Sequence, residues 1–321
     1  MNPVSYLETG VIYRDENLKR LSEFPADCVD LIYLDPPFFS NRHYEVIWGD
    51  EAEVRSFEDR WEGGINVYIN WMRERVLEMH RVLKPTGVIF LHCDWHAGHY
   101  LKIMLDNIFG PNQFRNELVW CYRGGGVSKR WFGRKHDTIF FYGKGKKHHF
   151  EPQYVPYSES TMAVTGKTGK RVNKTEIDLE RGGHMPDWWT DINALQTWSP
   201  ERIGYPTQKP VALLERIIKA ASEKGGVVLD PFCGCGTALV AAEHLNRRWI
   251  GIDISPTAVG IMQHRMAKEG ATAKIIGMPV TEEELHALKP FEFQNWVIQR
   301  VHGTHSTKKT GDMGIDGYSF L

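Results

Sequence analysis

Short runs of β-branched and large apolar residues punctuate the chain, and four of them close on an aspartate. The run at 29–34 leads into Asp35, 88–93 into Asp94, 227–229 into Asp230 and 249–252 into Asp253. Runs of this length, bounded by turn residues and apolar throughout, predict parallel strands buried on both faces of an open sheet. Between them, apolar positions recur every three or four residues over 68–83, 211–222 and 237–245, which predicts the covering helices. Ligands of such sheets bind beyond the carboxyl ends of the strands, so the four aspartates are expected on one rim and in one site.

Two of these strand ends carry distinctive turns. After Asp230 the chain reads Pro231-Phe232-Cys233-Gly234-Cys235-Gly236-Thr237 and then ALVAAEHL. Glycines at alternate positions between a strand and a helix N-terminus let main chain approach a ligand closely. Asp253 follows about 20 residues later, the spacing at which an acidic group meets ribose hydroxyls in Rossmann-like sites. The third glycine of a dinucleotide fingerprint is missing, which favours adenosylmethionine over a pyrophosphate ligand. Ser255 and Pro256 predict the N-cap and first residue of the next helix.

The other turn is Asp35-Pro36-Pro37-Phe38. Its prolines fix φ and withhold two N–H groups, giving a rigid turn whose carbonyls are free to accept hydrogen bonds. The amino group of a nucleobase is a poor nucleophile because its lone pair is delocalised into the ring. A carboxylate and a carbonyl accepting its two N–H bonds would localise that pair toward an electrophilic methyl, and the rest is positioning. Phe38 offers a π-face for a base extruded from a duplex.

In these residues the chain resembles the amino-methylating DNA methyltransferases, the adenine-N6 and cytosine-N4 enzymes, in their permuted β-type order. The resemblance covers most of 10–277. It includes Tyr205-Pro206-Thr207-Gln208-Lys209-Pro210 ahead of VALLERIIKAAS, and His92-Cys93-Asp94 with HYLKIMLDNIFG. It implies an α/β fold with a Rossmann-like, mostly parallel, seven-stranded sheet, circularly permuted. The implied division is a catalytic half at 1–142, a target-recognition insert at 143–200, a cofactor-binding half at 201–280 and a tail at 281–321. Carried over by position, it implies Asp35, Pro36, Pro37 and Phe38 as the catalytic loop. It implies Asp230, Phe232, Gly234, Gly236 and Thr237 as the cradle of S-adenosylmethionine, Asp253 on the ribose and Lys209 near the methionine carboxylate. Phe38 stands where tyrosine is common. An aspartate at position 35 resembles the adenine enzymes, whereas serine is frequent in those acting on cytosine, so adenine N6 is expected and cytosine N4 is the alternative. A nicotinamide oxidoreductase would leave DPPF and TQKP idle, and a non-catalytic DNA-binding subunit should have lost one of the two loops. RNA fits the permuted order with a long insert less well than DNA does.

Charge refines this picture by its distribution. The chain's 39 basic and 40 acidic residues nearly cancel, but Arg123, Lys129, Arg130, Arg134, Lys135, Lys144, Lys146 and Lys147 cluster between 123 and 149, opposed only by Asp137. Lys167, Lys170, Arg171 and Lys174 follow. With Trp131 and Phe132 interleaved, such stretches suit double-stranded DNA, and Arg123, Lys129, Arg130, Arg134 and Lys135 form the expected contact set; the alternative is a solvated loop. Five cysteines without a CxxC pair exclude a disulfide framework and a zinc ribbon, and point to the cytoplasm. Neither a signal core nor a bilayer-spanning apolar run is present. His92, Cys93, Asp94, His96 and His99 are dense in ligating atoms, but their spacing fits no standard zinc pattern, so no metal is expected. Trp188 and Trp189 are expected as core anchors of the insert. Residues 290–321 resemble the start of a restriction-endonuclease-like domain around Asp316, without the strand that would complete a Mg²⁺ site, so no cleavage is expected. A cognate restriction endonuclease and a second copy of the chain are the candidate protein partners.

Overall fold

The computed structural model of the protein describes residues 7–40, 61, 63–124, 129–160, 180–205, 207–279 and 281–286, with a few positions between 293 and 318. The apolar runs form strands: β1 (Val11–Arg14), β2 (Val29–Leu34), β3 (Leu83–Cys93), β4 (Phe114–Cys121) and β5 (His136–Gly143). Two short strands, β6 (Tyr154–Val155) and β7 (Gly183–His184), pair only with each other, and β8 is Trp188–Trp189. Then come β9 (Val227–Asp230), β10 (Arg248–Asp253) and β11 (Lys274–Ile276). The sheet order is β11-β1-β10-β9-β2-β3-β5-β4-β8. Seven strands thus form the expected sheet, widened at its edges by β11 and β8. All are parallel except β5, which runs antiparallel to both neighbours.

Helices cover both faces, as strands apolar on both sides require. On one face α1 (Asn17–Glu23), α2 (Ile65–Val82) and α3 (Gly98–Phe109) bury Leu21, Met72, Val76, Leu101 and Leu105. On the other, α4 (Val211–Ala221), α5 (Thr237–His244) and α6 (Pro256–Lys268) bury Leu214, Ile218, Leu239 and Met262. Ser255 caps α6 by accepting the Ala258 N–H, with Pro256 in the first turn, as its sequence predicts. No described helix is long and apolar enough to cross a membrane.

The seam between β2 and β9 joins the two halves of the chain. Leu31 pairs with Val228 and Ile32 with Leu229. Asp30 bolts the strands together at their start, its Oδ2 accepting the Val227 N–H at 2.8 Å while Lys84 Nζ holds both carboxylate oxygens. From β9 the chain winds outward through β10 toward one edge, and from β2 through β3 toward the other. This reversal opens a crevice above the seam, the place where such sheets bind ligands.

Two expectations are corrected. The basic stretch 123–149 is one patch in sequence but two in space. Because β5 is antiparallel and eight residues long, about 27 Å at strand rise, it carries Lys144, Lys146 and Lys147 to the rim opposite Arg123–Lys135. Lys144 is also structural, bonding Asp27 Oδ1 at 2.7 Å and the Leu83 carbonyl at 2.6 Å. Trp188 and Trp189 do not anchor a core of the insert. As β8 they pair with Val119 and Trp120 at the edge of the main sheet, Trp189 buried in its core and Trp188 56% exposed. The span 143–200 therefore contributes a strand to the main sheet. Lys167, Lys170, Arg171, Lys174 and Asp316 lie outside the described residues.

Gly251 in β10 lets α5 lie close over the glycine turn. A Cβ there would come 2.8 Å from Leu239 Cδ2 and 2.9 Å from Cys233 Sγ, both buried. Gly251→Ala should therefore cost about 1–3 kcal/mol through overpacking, read as a lower midpoint in urea unfolding. An unchanged midpoint would mean that the helix yields freely.

Candidate active site

The crevice above the seam is a cavity of about 580 Å³, and the turns that follow β1, β2, β9 and β10 all open into it. Asp35, Asp230 and Asp253 reach it as expected. Asp94 is the exception: it does not line the cavity, and its carboxylate accepts the His96 N–H at 2.9 Å and meets His96 Nδ1 at 2.7 Å. In its place the next parallel strand outward, β1, delivers Asp15 and Glu16.

The glycine turn has the backbone geometry its sequence predicts. Gly236 is the N-cap of α5 with φ at +77°, a left-handed conformation that costs glycine nothing. Gly234 also has positive φ, and its N–H donates to Asp253 Oδ2 at 2.8 Å. Asp253 Oδ1 accepts the Ser255 N–H at 2.9 Å, so this carboxylate clamps the glycine turn to the start of α6. Burial pushes its pKa up to about 6 against those bonds. Burial pushes Asp230 well above the usual carboxylate range despite its bond from the Phe232 N–H, and the charges of Asp35 and Asp253 add to the effect. Cys233 and Cys235 are buried loop residues whose thiols burial holds in the protonated form.

The proline turn differs from its reading in two details. The Pro37 carbonyl is already engaged, accepting Tyr68 Oη at 2.7 Å. Lys209 meets the proline turn itself, its Nζ lying 2.5 Å from Asp35 Oδ2 and 5.0 Å from the centre of the Phe38 ring. The family resemblance implies this lysine near the methionine carboxylate of the cofactor. Its partner within the chain is Asp35, where burial makes an unpaired ammonium costly. The other oxygen, Asp35 Oδ1, is buried without a hydrogen-bond partner among the described residues.

Sequence reasoning passed over one wall of the cavity. Trp61, Trp71 and Phe232 form an aromatic surface, with Trp71 4.9 Å from Trp61 and 5.7 Å from Phe232. Arg75 stacks on Trp71 at 3.8 Å, pairs with Glu16 and donates to Asn17 Oδ1, while Asn17 Nδ2 reaches the Pro231 carbonyl at 3.0 Å. Trp71 has the helical spacing of a core residue, and only the break at the seam turns it toward the cavity.

Among the described residues, five carboxylates thus line the cavity against two cations, each already paired with one of them: Arg75 with Glu16, and Lys209 with Asp35. The balance suits a positively charged ligand with an aromatic base, and opposes a pyrophosphate. The expected DNA-contact residues lie on the β4–β5 connection, on the same rim of the sheet as the cavity. Arg123, Lys129, Arg130 and Arg134 are exposed there. A Tyr122 N–H to Lys135 O bond of 2.9 Å closes the loop at its base, where Lys135 Nζ donates to the Gly124 carbonyl. Arg134 stacks 3.7 Å above Trp95, and Phe132 is 97% exposed.

Comparison with known proteins bears on this geometry. The model of the N6/N4 DNA methylases matches residues 29–264. The type II methyltransferase M.HpaI of Haemophilus parainfluenzae is 30% identical over 252 residues, 78% of this chain and 72% of that protein. The DNA adenine methyltransferase YhdJ of Escherichia coli K12 is 27% identical over 283 residues, 83% and 88% of the two chains. Among solved structures, the cytosine-N4-specific PvuII DNA methyltransferase has a TM-score of 0.57 at 16% identity, covering 90% of this chain and 93% of its own. TTHA0409 of Thermus thermophilus, complexed with S-adenosyl-L-methionine, has a TM-score of 0.55 at 16% identity, over 84% and 99%.

The raised carboxyls make a prediction. A cation favours the ionised form, so a sulfonium ligand should lower the pKa values of Asp230 and Asp253 and release protons on binding. Affinity should weaken as pH falls through about 6, where Asp253 takes up its proton. Titration calorimetry in buffers of different ionisation enthalpy reads the proton release directly. A buffer-independent enthalpy would contradict the linkage.

Proposed function

The chain belongs to the N6/N4 DNA methylases, and from that premise we propose that it methylates adenine N6 in double-stranded DNA, using S-adenosylmethionine. The observation that carries the chemistry is the half-satisfied carboxylate of Asp35. Lys209 holds Oδ2 and fixes the plane of the group, while buried Oδ1 has no partner among the described residues. An N–H of the target amino group is the natural occupant. The Pro36 carbonyl accepts the second N–H, since that of Pro37 is spent on Tyr68. Both bonds draw the nitrogen lone pair out of the ring's π-system. The base stacks on Phe38, as an extruded nucleotide requires.

When bound, S-adenosylmethionine supplies the electrophilic methyl group. The chain's residues fit it: the aromatic wall of Trp61, Trp71 and Phe232 takes a purine, and the acidic lining suits sulfonium and ammonium charge. Asp253 holds the ribose, Asp230 and the turn through Gly234, Gly236 and Thr237 hold the rest, and Lys209 stays with Asp35. Residues 143–200 act as the target-recognition region. The names of the type II relatives support a cognate restriction endonuclease as a partner in function.

Adenine is preferred because Asp35 resembles the adenine enzymes and YhdJ is an adenine methyltransferase. Cytosine N4 presents the same two hydrogens, and the PvuII enzyme has that specificity.

Replacing Asp35 by Asn exchanges a two-oxygen acceptor for one oxygen and a donor. Turnover should fall by roughly 10²–10⁴, with cofactor affinity nearly unchanged. Nucleoside mass spectrometry of DNA treated with the unaltered protein should show N6-methyladenine. N4-methylcytosine in its place would overturn the base assignment, and a fully active Asp35→Asn variant the mechanism.

The exposed loop cations give a second test. Neutralising Lys129, Arg130 and Arg134 together should weaken binding to every duplex and flatten the slope of log K on log salt by about 0.9 for each phosphate they no longer neutralise. Identical slopes would leave these side chains as solvated charges.

A further inference from the structure

A chain of polar side chains runs behind the catalytic turn, and the chemistry above makes no use of it. Tyr33 Oη in β2 lies 2.8 Å from His92 Nδ1 in β3. His92 Nε2 lies 3.2 Å from Asp137 Oδ2 in β5, and Asp137 Oδ1 accepts Tyr122 Oη at 3.0 Å, just beyond β4. His92 is fully buried, Tyr33 and Asp137 nearly so. Burial alone would raise Asp137, but its hydrogen bond with His92, nearby Lys209 and the Tyr122 bond together hold it below the usual range. Burial pushes the Tyr33 phenol far up, so it stays a neutral donor. An anionic Asp137 accepts the Nε2–H of His92, which leaves Nδ1 to accept the Tyr33 O–H. Both edges of the imidazole are thereby fixed.

What the ring faces gives this rigidity a purpose. The His92 centroid lies 5.8 Å from that of Phe38, with planes 31° apart, and Trp120 buttresses the imidazole edge-on at 5.7 Å. Pro36 and Pro37 set the backbone of the turn but leave the Phe38 side chain free to rotate. Simple packing would not need a buried carboxylate, since apolar side chains fill space without desolvating a charge. Tyr33 also lines the cavity, two residues before Asp35, so the chain reaches the site at two points.

We propose that Asp137, His92 and Tyr33 are positioning residues for Phe38, and through it for the base stacked there. This rests on the assignment of Asp35-Pro36-Pro37-Phe38 as the base-binding turn. Asp137 orients the imidazole, Tyr33 locks its opposite edge, and the ring presents a fixed surface to Phe38. The three act as one unit, so removing either anchor releases the same ring.

Two near-isosteric variants, Asp137→Asn and Tyr33→Phe, test this singly and together in the full chain. Each should lower kcat for DNA methylation about 10-fold or more, the scale of loss when a reacting group is misplaced by a fraction of an ångström. Affinity for S-adenosylmethionine should stay within about twofold, which also reports on folding. The double variant should lose no more than the worse single one, because both act through His92. Imidazole ¹⁵N shifts give a readout independent of turnover: the unaltered protein should hold His92 with a proton on Nε2, and Asp137→Asn should abolish that preference. Unaltered kcat in both variants, additive losses, a parallel fall in cofactor affinity, or a His92 tautomer indifferent to Asp137→Asn would each overturn the proposal. Absence of methyl transfer by the unaltered protein, with the tautomer as expected, would instead overturn the function from which it starts.

Discussion

The pairing of β2 with β9 is the constraint on which the site depends. Asp30 and Val227 stand 197 positions apart, yet one hydrogen bond sets their strands in register. That register brings the turns after Leu34 and Asp230 to one rim, so that Lys209 can cross 174 positions to Asp35. A permuted chain order is tolerated for the same reason. The crevice needs two adjacent parallel ends with crossovers leaving in opposite directions, whichever end the chain threads first.

Carboxylates crowded into a low-dielectric crevice repel one another, and the protein contains that repulsion in three ways. Asp253 is stitched to two backbone N–H groups, Asp230 is held toward its neutral form, and Asp35 is matched to Lys209. Each device leaves some demand for positive charge unmet. The electrostatic cost of the empty crevice falls when a cationic ligand enters.

Much of this was legible in the sequence because it follows from local rules. Apolar runs of three to six residues between turn residues read as strands, and proline pairs, alternate glycines and Ser255-Pro256 carry their geometry with them. What escaped was set by contacts between distant segments. Asp15 follows a strand of only four residues, too short to stand out, and its place on the rim comes from pairing with β10. Trp71 has the spacing of a core residue in α2, and only the seam exposes it to the cavity. Asp94 ends a strand as the other three do, but its carboxylate turns back onto its own loop, where the His96 N–H and imidazole hold it. Lys144 continues the basic run in sequence, and only the antiparallel course of β5 carries it to the far edge. His92 and Asp137 read as two unrelated polar residues, and their partnership depends on β3 lying beside β5.

The bond between the Tyr122 N–H and the Lys135 carbonyl, which closes the loop at its base, has a consequence for how such a protein can change. Below it, Trp120, Asp137 and Ile139 are locked into the sheet. Above it, Lys129 to Arg134 project into solvent. Everything outside that clasp behaves as an exchangeable cassette, open to insertion, deletion or wholesale grafting, while the machinery beneath keeps its geometry. Sequence variation can therefore accumulate there at little cost to folding.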